Sequence, residues 1–286
     1  MSAVRGRTQV AFVLPALLLL AGVTIYPLLH VTWLSLRRRL LIFDIDHFVG
    51  LSNFHQLLSD ARFASALTNT AYFAAVSVGF ELVFGVLIAL ILNRVRRARG
   101  FVFACILLPW AIPTVVSAKM WAWMFSTDYG VLNYLLSRPV NWLGSPFWAL
   151  NAAVLMDVWK TTPFVVLLVI AALKEIPEDL YRAARVDGAG RMATFWHVTL
   201  PLLAPMLVIV AVFRTLDAVR VFDAVFVLTG GGPAGTTETL SVYAYELLFQ
   251  TLQFGYGSTV ALSVFLIALL LTGGYLVILR RLPSRA

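Results

Sequence analysis

The chain of 286 residues is 60% apolar or aromatic and only 13% charged, and its mean hydropathy is +0.88. Soluble domains run at roughly 45–50% apolar and about 25% charged, so this composition excludes an ordinary water-soluble globule. The formal charge of +8 and the pI near 10.0 do not indicate a nucleic-acid partner. The basic residues sit at the ends of apolar blocks, with no aromatic interleaving or recognition motif.

Six apolar stretches, 10–34, 68–93, 101–125, 147–173, 200–228 and 256–280, are long enough to cross about 30 Å of hydrocarbon as helices. The prediction is an all-α, polytopic membrane protein forming a single transmembrane domain over 1–286. The first stretch is too long for a signal segment and lacks a clear small-residue cleavage site, so it is expected to stay as a span. The lone cysteine, Cys105, lies within an apolar run and forms no intrachain disulfide. The fifth stretch is the least clean, because Arg214, Asp217, Arg220 and Asp223 interrupt it.

Orientation follows from Lys and Arg in the short connections. With a cytoplasmic N-terminus, thirteen basic residues fall inside and five outside. The inside set starts with Arg5 and Arg7, continues through Arg96 in the first turn, and ends with Arg285. Both termini are therefore predicted to be cytoplasmic, against the single exception of the Arg37–Arg39 triple.

The inside segment 174–200 is too long for a mere connection. Ile176-Pro177-Glu178-Asp179 reads as a helix start, with acids at the positive helix terminus. Asp187-Gly188 punctuates the run, and a second helical stretch passes Phe195 and Trp196 to reach Pro201. On these residues alone, a docking surface and a helix lying flat on the membrane are equally open.

Nothing in the chain reads as a power source. There is no G-x-x-x-x-G-K-[ST] phosphate loop, no HExxH, and the four histidines are scattered. Glu81, Asp157, Asp217 and Asp223 are acids in or near spans that a proton-coupled carrier would use. No pair of glycine- or proline-broken helices in matching halves marks a self-contained carrier. A translocation unit powered from outside the chain is the better reading.

The loop reads Tyr181-Arg182-Ala183-Ala184-Arg185-Val186-Asp187-Gly188-Ala189, then Phe195-Trp196-His197-Val198-Thr199-Leu200-Pro201. It resembles the EAA loop of binding-protein-dependent ABC importer permeases, in the form typical of carbohydrate uptake (maltose, trehalose or glycerol 3-phosphate). Phe48-Val49-Gly50-Leu51-Ser52-Asn53-Phe54, Leu108-Pro109-Trp110-Ala111-Ile112-Pro113 and Leu228-Thr229-Gly230-Gly231-Gly232-Pro233 resemble other segments of that family. The resemblance implies the type I importer permease fold and a multi-pass place in the cytoplasmic membrane. The partners it implies are a second homologous permease, two cytoplasmic ATPase subunits and an extracytoplasmic solute-binding protein. ATP and magnesium would be held by the ATPases and no cofactor by this chain, which would do no bond chemistry of its own.

In that family the loop forms a coupling helix seated in a cleft of the ATPase. The resemblance assigns this role here to Arg182, Ala183, Ala184, Asp187, Gly188 and Ala189. The small alanines permit close docking, Gly188 permits a sharp turn, and Asp187 is placed to cap the second helix. Arg182 departs from the pattern, standing where the family usually has Glu, so any ion pair made by that Glu is absent or reversed in sign.

Two such permeases enclose a solute cavity. Candidates for its lining are polar and aromatic residues at membrane depth: Asn69, Tyr72, Lys119, Trp121, Asn151, Asp157, Trp159 and Asp217, with Lys160 and Arg214 beside them. Competing readings are that the tryptophans anchor span ends, that Lys160 snorkels, and that Arg214 and Asp217 only neutralise each other. Two other classes of function stay open beside the importer. One is an ion-coupled carrier using Asp157 or Glu81, and the other a non-transporting membrane scaffold.

Overall fold

The computed structural model describes residues 13–95 and 97–281. The first three residues of the predicted first span lie outside these, as do Arg5, Arg7, Arg96 and Arg285 of the orientation count. Among the described residues, five helices are long and apolar enough to cross a membrane, or six if one bent pair counts as a span. The chain falls into two compact units. One holds the described residues up to Ala64 with Tyr243–Phe265; the other holds Ser65–Val242 and the described residues from Leu266.

In the first unit, α1 (Val13–Ser35) is apolar on every face, as a span in lipid must be. It carries a π-helical turn at Ala21–Ile25, just before Pro27, where the missing proline N–H breaks the regular hydrogen-bond ladder. The arginine triple is not helical. Strands β1 (Arg37–Leu40) and β2 (Ile45–Phe48) form an antiparallel hairpin with Arg37 opposite Phe48 and Leu40 opposite Ile45. Among the described residues this short two-stranded ribbon is the one sheet in an otherwise helical chain, as the all-α prediction has it. Asp44 sits in the left-handed region at its tip, a conformation Asp tolerates better than most residues. Asn53, in α2 (Ser52–Ser59), ties the hairpin to α1 by donating to the carbonyls of Ser35 and Arg37 at 2.8 and 2.9 Å. Gly255 is required here: a Cβ would stand 2.0 Å from the Arg37 carbonyl oxygen.

The second unit is a helix bundle. Helix α3 (Ala61–Leu92) presents Ala66, Ala74, Ser77, Gly85 and Ala89 inward, the small residues that allow spans to approach closely. At Gly85 the approach is to Val165 of α7 (Pro146–Lys174), whose Cγ1 lies 2.3 Å from where a Cβ would be. Val165, Val166 and Val169 of α7 pack with Ala89, Leu92, Leu203 and Val210 in one apolar core.

Two predicted spans are corrected. The third is broken into α4 (Arg99–Ala111) and α5 (Thr114–Met124), bent by 92°. Proline is the cause, because Pro113 drives Ile112 into an extended conformation, ψ 134°. The fifth begins earlier and ends earlier than 200–228. Helix α9 runs Arg191–Val219, and after α6 (Val131–Leu136) and α8 (Glu178–Val186) the short α10 (Asp223–Leu228) is a separate element. Arg220 is followed by a stretch with no intrahelical continuation. The charges that made this stretch look unclean mark its end. Short α11 (Leu240–Tyr245) and the long α12 (Phe254–Arg281) complete the chain.

Candidate functional site

The break in the third span opens onto a polar cavity of about 350 Å³. Trp110 and Thr114 border it from the two sides of the break. Asp157, Lys160 and Thr161 project from α7, Arg214 and Asp217 from α9, and Arg220, Phe222 and Asp223 close it. Backbone that departs from helix at membrane depth is tolerated only where it is buried in protein or lines a cavity, and here Trp110 and Thr114 on its two sides line one.

Lys160 answers the accounting problem that the break creates. The last carbonyls of a helix have no partner of their own, and Lys160 Nζ donates to the Ile112 carbonyl at 2.7 Å and reaches that of Trp110 at 3.5 Å. A cation at a helix C-terminus is also favoured by the helix dipole. Lys160 is buried, so the snorkelling alternative is set aside.

Behind the cavity wall lies a buried ionic cluster. Arg214 donates to Glu81 through Nε at 2.5 Å and Nη2 at 3.0 Å, a two-pronged pair. The same guanidinium donates to Asp157 and Asp217, each at 3.3 Å. Thr161 Oγ1 donates to Glu81 at 2.7 Å. Arg220 donates to the other Asp217 oxygen at 2.7 Å. Arg214 and Asp217 therefore do not merely neutralise each other, since Arg214 is shared among three carboxylates from three helices.

Of the predicted lining residues, the structure brings Asp157, Asp217, Lys160 and Arg214 to the cavity. The others are elsewhere. Asn69 donates to the Glu238 carbonyl at 2.9 Å, and Tyr72 donates to Asn151 at 2.8 Å. Trp121 is buried against Trp159 and Phe125, with ring centroids 5.6 and 5.3 Å apart. Lys119 is exposed away from it, as is Trp123. Trp110, Thr114, Thr161 and Arg220 were missed. The Ile112-Pro113 pair that breaks the span was the available signal for the first two.

The loop 174–200 folds as a helix, a turn and a helix. Pro177 precedes α8, and Glu178 and Asp179 occupy its first turn. None of the α8 residues is buried. Its end is a Schellman closure, in which the Ala189 amide bonds the Ala184 carbonyl at 2.9 Å and the Gly188 amide bonds that of Arg185 at 3.2 Å. Gly188 takes φ +77°, and a Cβ there would meet nothing within 4 Å. Its glycine is thus demanded by backbone conformation and leaves the outer side of the turn open. Asp187 does not cap the second helix; it ends the first, and Gly190 stands at the N-cap of α9 without a side-chain bond. Arg182 pairs within its own helix, with Glu178 at 3.5 Å and Asp179 at 3.7 Å. Val186 and Met192 on either side of the turn are exposed.

A multi-span protein with a charged cavity among its spans and an open helix–turn–helix between two of them has the build of a membrane permease subunit. The description "Binding-protein-dependent transport system inner membrane component" matches residues 81–283, and the chain belongs to that family. It is 42% identical over 268 residues to the trehalose/maltose transport system permease protein MalF of Thermococcus litoralis, covering 92% of this chain and 90% of that one. It is 40% identical over 260 residues to the trehalose transport system permease protein SugA of Mycobacterium tuberculosis, covering 90% and 84%. Its fold matches a chain of a bacterial ABC transporter involved in import of the acidic polysaccharide alginate. The TM-score is 0.85 at 24% identity, over 98% of this chain and 97% of that one. The chain is accordingly an inner-membrane permease component, and ATP hydrolysis belongs to a partner subunit.

Proposed function

We propose that this chain forms half of the translocation pathway of an ATP-driven importer of a disaccharide of the trehalose or maltose kind. The observation that carries the reading is the cavity at the broken span, where carboxylates of Asp157 and Asp217 and the Lys160 ammonium stand among the spans. Such groups offer both acceptors and donors to sugar hydroxyls, and the two relatives are permeases of trehalose/maltose and of trehalose transport systems.

The rest of the assembly follows the family. A second homologous permease supplies the other half of the cavity. A solute-binding protein delivers sugar from outside, and two ATPase subunits, which hold ATP and magnesium, sit inside. Residues 174–200 act as the coupling loop of a permease domain spanning 1–286. Arg182, Ala183, Ala184, Asp187, Gly188 and Ala189 face the ATPase, and both termini are cytoplasmic. Nucleotide binding supplies the work. What this chain contributes is a rigid turn that carries the motion into α9, and a polar wall that holds the solute. With Arg182 already compensated by Glu178 and Asp179, docking relies on the open turn and the apolar Val186 and Met192 beside it.

An ion-coupled carrier would need an acid free to take and release a proton. Glu81 and Asp157 both accept from Arg214, so neither is free in that way. The test is uptake of labelled trehalose and maltose into proteoliposomes carrying the assembled complex. Accumulation that requires ATP and the binding protein is expected. Accumulation driven by a pH gradient without ATP would reverse the reading.

A further inference from the structure

Glu81 is fully buried and is not among the residues that border the cavity. A carboxylate wholly removed from water is costly unless its lone pairs are filled. Here they are filled, by two prongs of Arg214 and by Thr161 Oγ1. The consequence is geometric. The planar guanidinium offers five N–H donors in a fixed fork, so two bonds to Glu81 set the plane and direction of the whole group. The donors left over face Asp157 on one side and Asp217 on the other, each at 3.3 Å. Asp217 is in turn held by Arg220 at 2.7 Å.

We infer that Glu81 is a positioning residue for the solute wall: it locks the Arg214 fork so that Asp157 and Asp217 are held apart and oriented toward the cavity. The role rests on the import reading above. Glu81 never touches solute. A wall that must recognise hydroxyls has to keep its acceptors at fixed separation, and an arginine free to rotate would collapse onto one carboxylate and abandon the other.

The test uses the assembled complex in proteoliposomes, with labelled trehalose and its binding protein, and scores uptake per ATP hydrolysed. The KM for trehalose is read beside it, because a merely structural or coupling defect lowers the ratio without moving the trehalose concentration that half-saturates uptake, whereas a disordered solute wall raises that concentration. Glu81→Gln is expected to lower the ratio about tenfold, the worth of one charge-assisted hydrogen bond. Glu81→Asp, which keeps the charge, is expected to recover most of it. Arg214→Met should lower both the ratio and the melting temperature, since it strands the Glu81 charge. Adding Glu81→Met to it should recover the part of the melting temperature lost by stranding Glu81, though not the part lost at Asp157, whose carboxylate also accepts from Arg214, and should not restore transport.

A structural pair predicts otherwise. Recovery of transport by the apolar double variant, or a wild-type ratio in Glu81→Gln, overturns the positioning role and leaves the import reading standing. A wild-type complex that hydrolyses ATP but moves neither trehalose nor maltose overturns the import reading, and the role of Glu81 falls with it.

Discussion

Lys160 shows how one side chain makes an irregular span affordable. A proline-induced break leaves carbonyls with no donor, and an unpaired buried carbonyl costs about 1–3 kcal/mol. Replacing Lys160 by Met is expected to destabilise the purified complex by about that amount, read as a lower melting temperature, and to weaken sugar uptake because the ammonium also borders the cavity. Asp60, outside the spans, is a second case. Burial alone would raise its pKa, but hydrogen bonds from Tyr243 and Tyr256, both at 2.6 Å, and from the amides of Arg62 and Phe63 outweigh it and hold the carboxyl below its ordinary 3.8. A depressed folded pKa stabilises above the unfolded value and is lost as pH falls through the folded one. The melting temperature of the wild type is therefore expected to exceed that of Asp60→Asn at neutral pH, with the gap closing as pH drops below about 4. A pH series of melting curves on both proteins checks it. These residue-scale effects were illegible beforehand. Lys160 stood open between a cavity role and snorkelling, and no local pattern singled out Asp60, since their partners at 110–112 and at 243 and 256 are distant in sequence.

At the scale of elements, the coupling turn was the most legible part of the chain. The Pro177-Glu178-Asp179 start and the Gly188 turn follow from local rules of helix ends, and both appear where the residues place them. The failed detail was Asp187 as a cap, because the Schellman closure takes two further residues and moves the next helix start to Gly190. Gly188 yields a sharp prediction. The left-handed backbone costs a non-glycine residue about 1–2 kcal/mol, while Asn tolerates it. Gly188→Asn is thus expected to transport nearly as wild type, and Gly188→Trp to hydrolyse ATP without uptake. No atom of the chain lies within 4 Å of a Cβ at this position, and Gly188→Ala carries a backbone cost of the same kind as Trp, so uncoupling by Trp but not by Ala reports contact with the ATPase. Normal sugar uptake by Gly188→Trp in reconstituted complexes would remove the turn from the coupling surface. The broken third span is the opposite case: apolarity counted it as one helix, and only the Ile112-Pro113 step held the bend.

For the whole molecule, the proposed orientation is open to a direct check. With Cys105 replaced, single cysteines at Arg182 and at Arg138 are expected to label from opposite sides of sealed membranes, the former only after permeabilisation when the outer face is exposed to reagent. Labelling of both from one side would discard the proposed topology, and labelling of Arg138 alone only after permeabilisation would invert it. That the chain is built of long apolar helices with one long exposed loop was determined by the sequence itself. Hydropathy and helix-end chemistry act over a few turns of one segment and need no distant partner. The ionic wall was decided only by tertiary structure. Arg214 lies 133 residues from Glu81 and 57 from Asp157, so no local pattern couples them. Which of many polar residues converge depends on how α3, α7 and α9 rotate as small residues such as Gly85 let them close. That is why Asp157 and Asp217 reached the cavity while Asn69, Tyr72 and Asn151 were spent on bonds elsewhere.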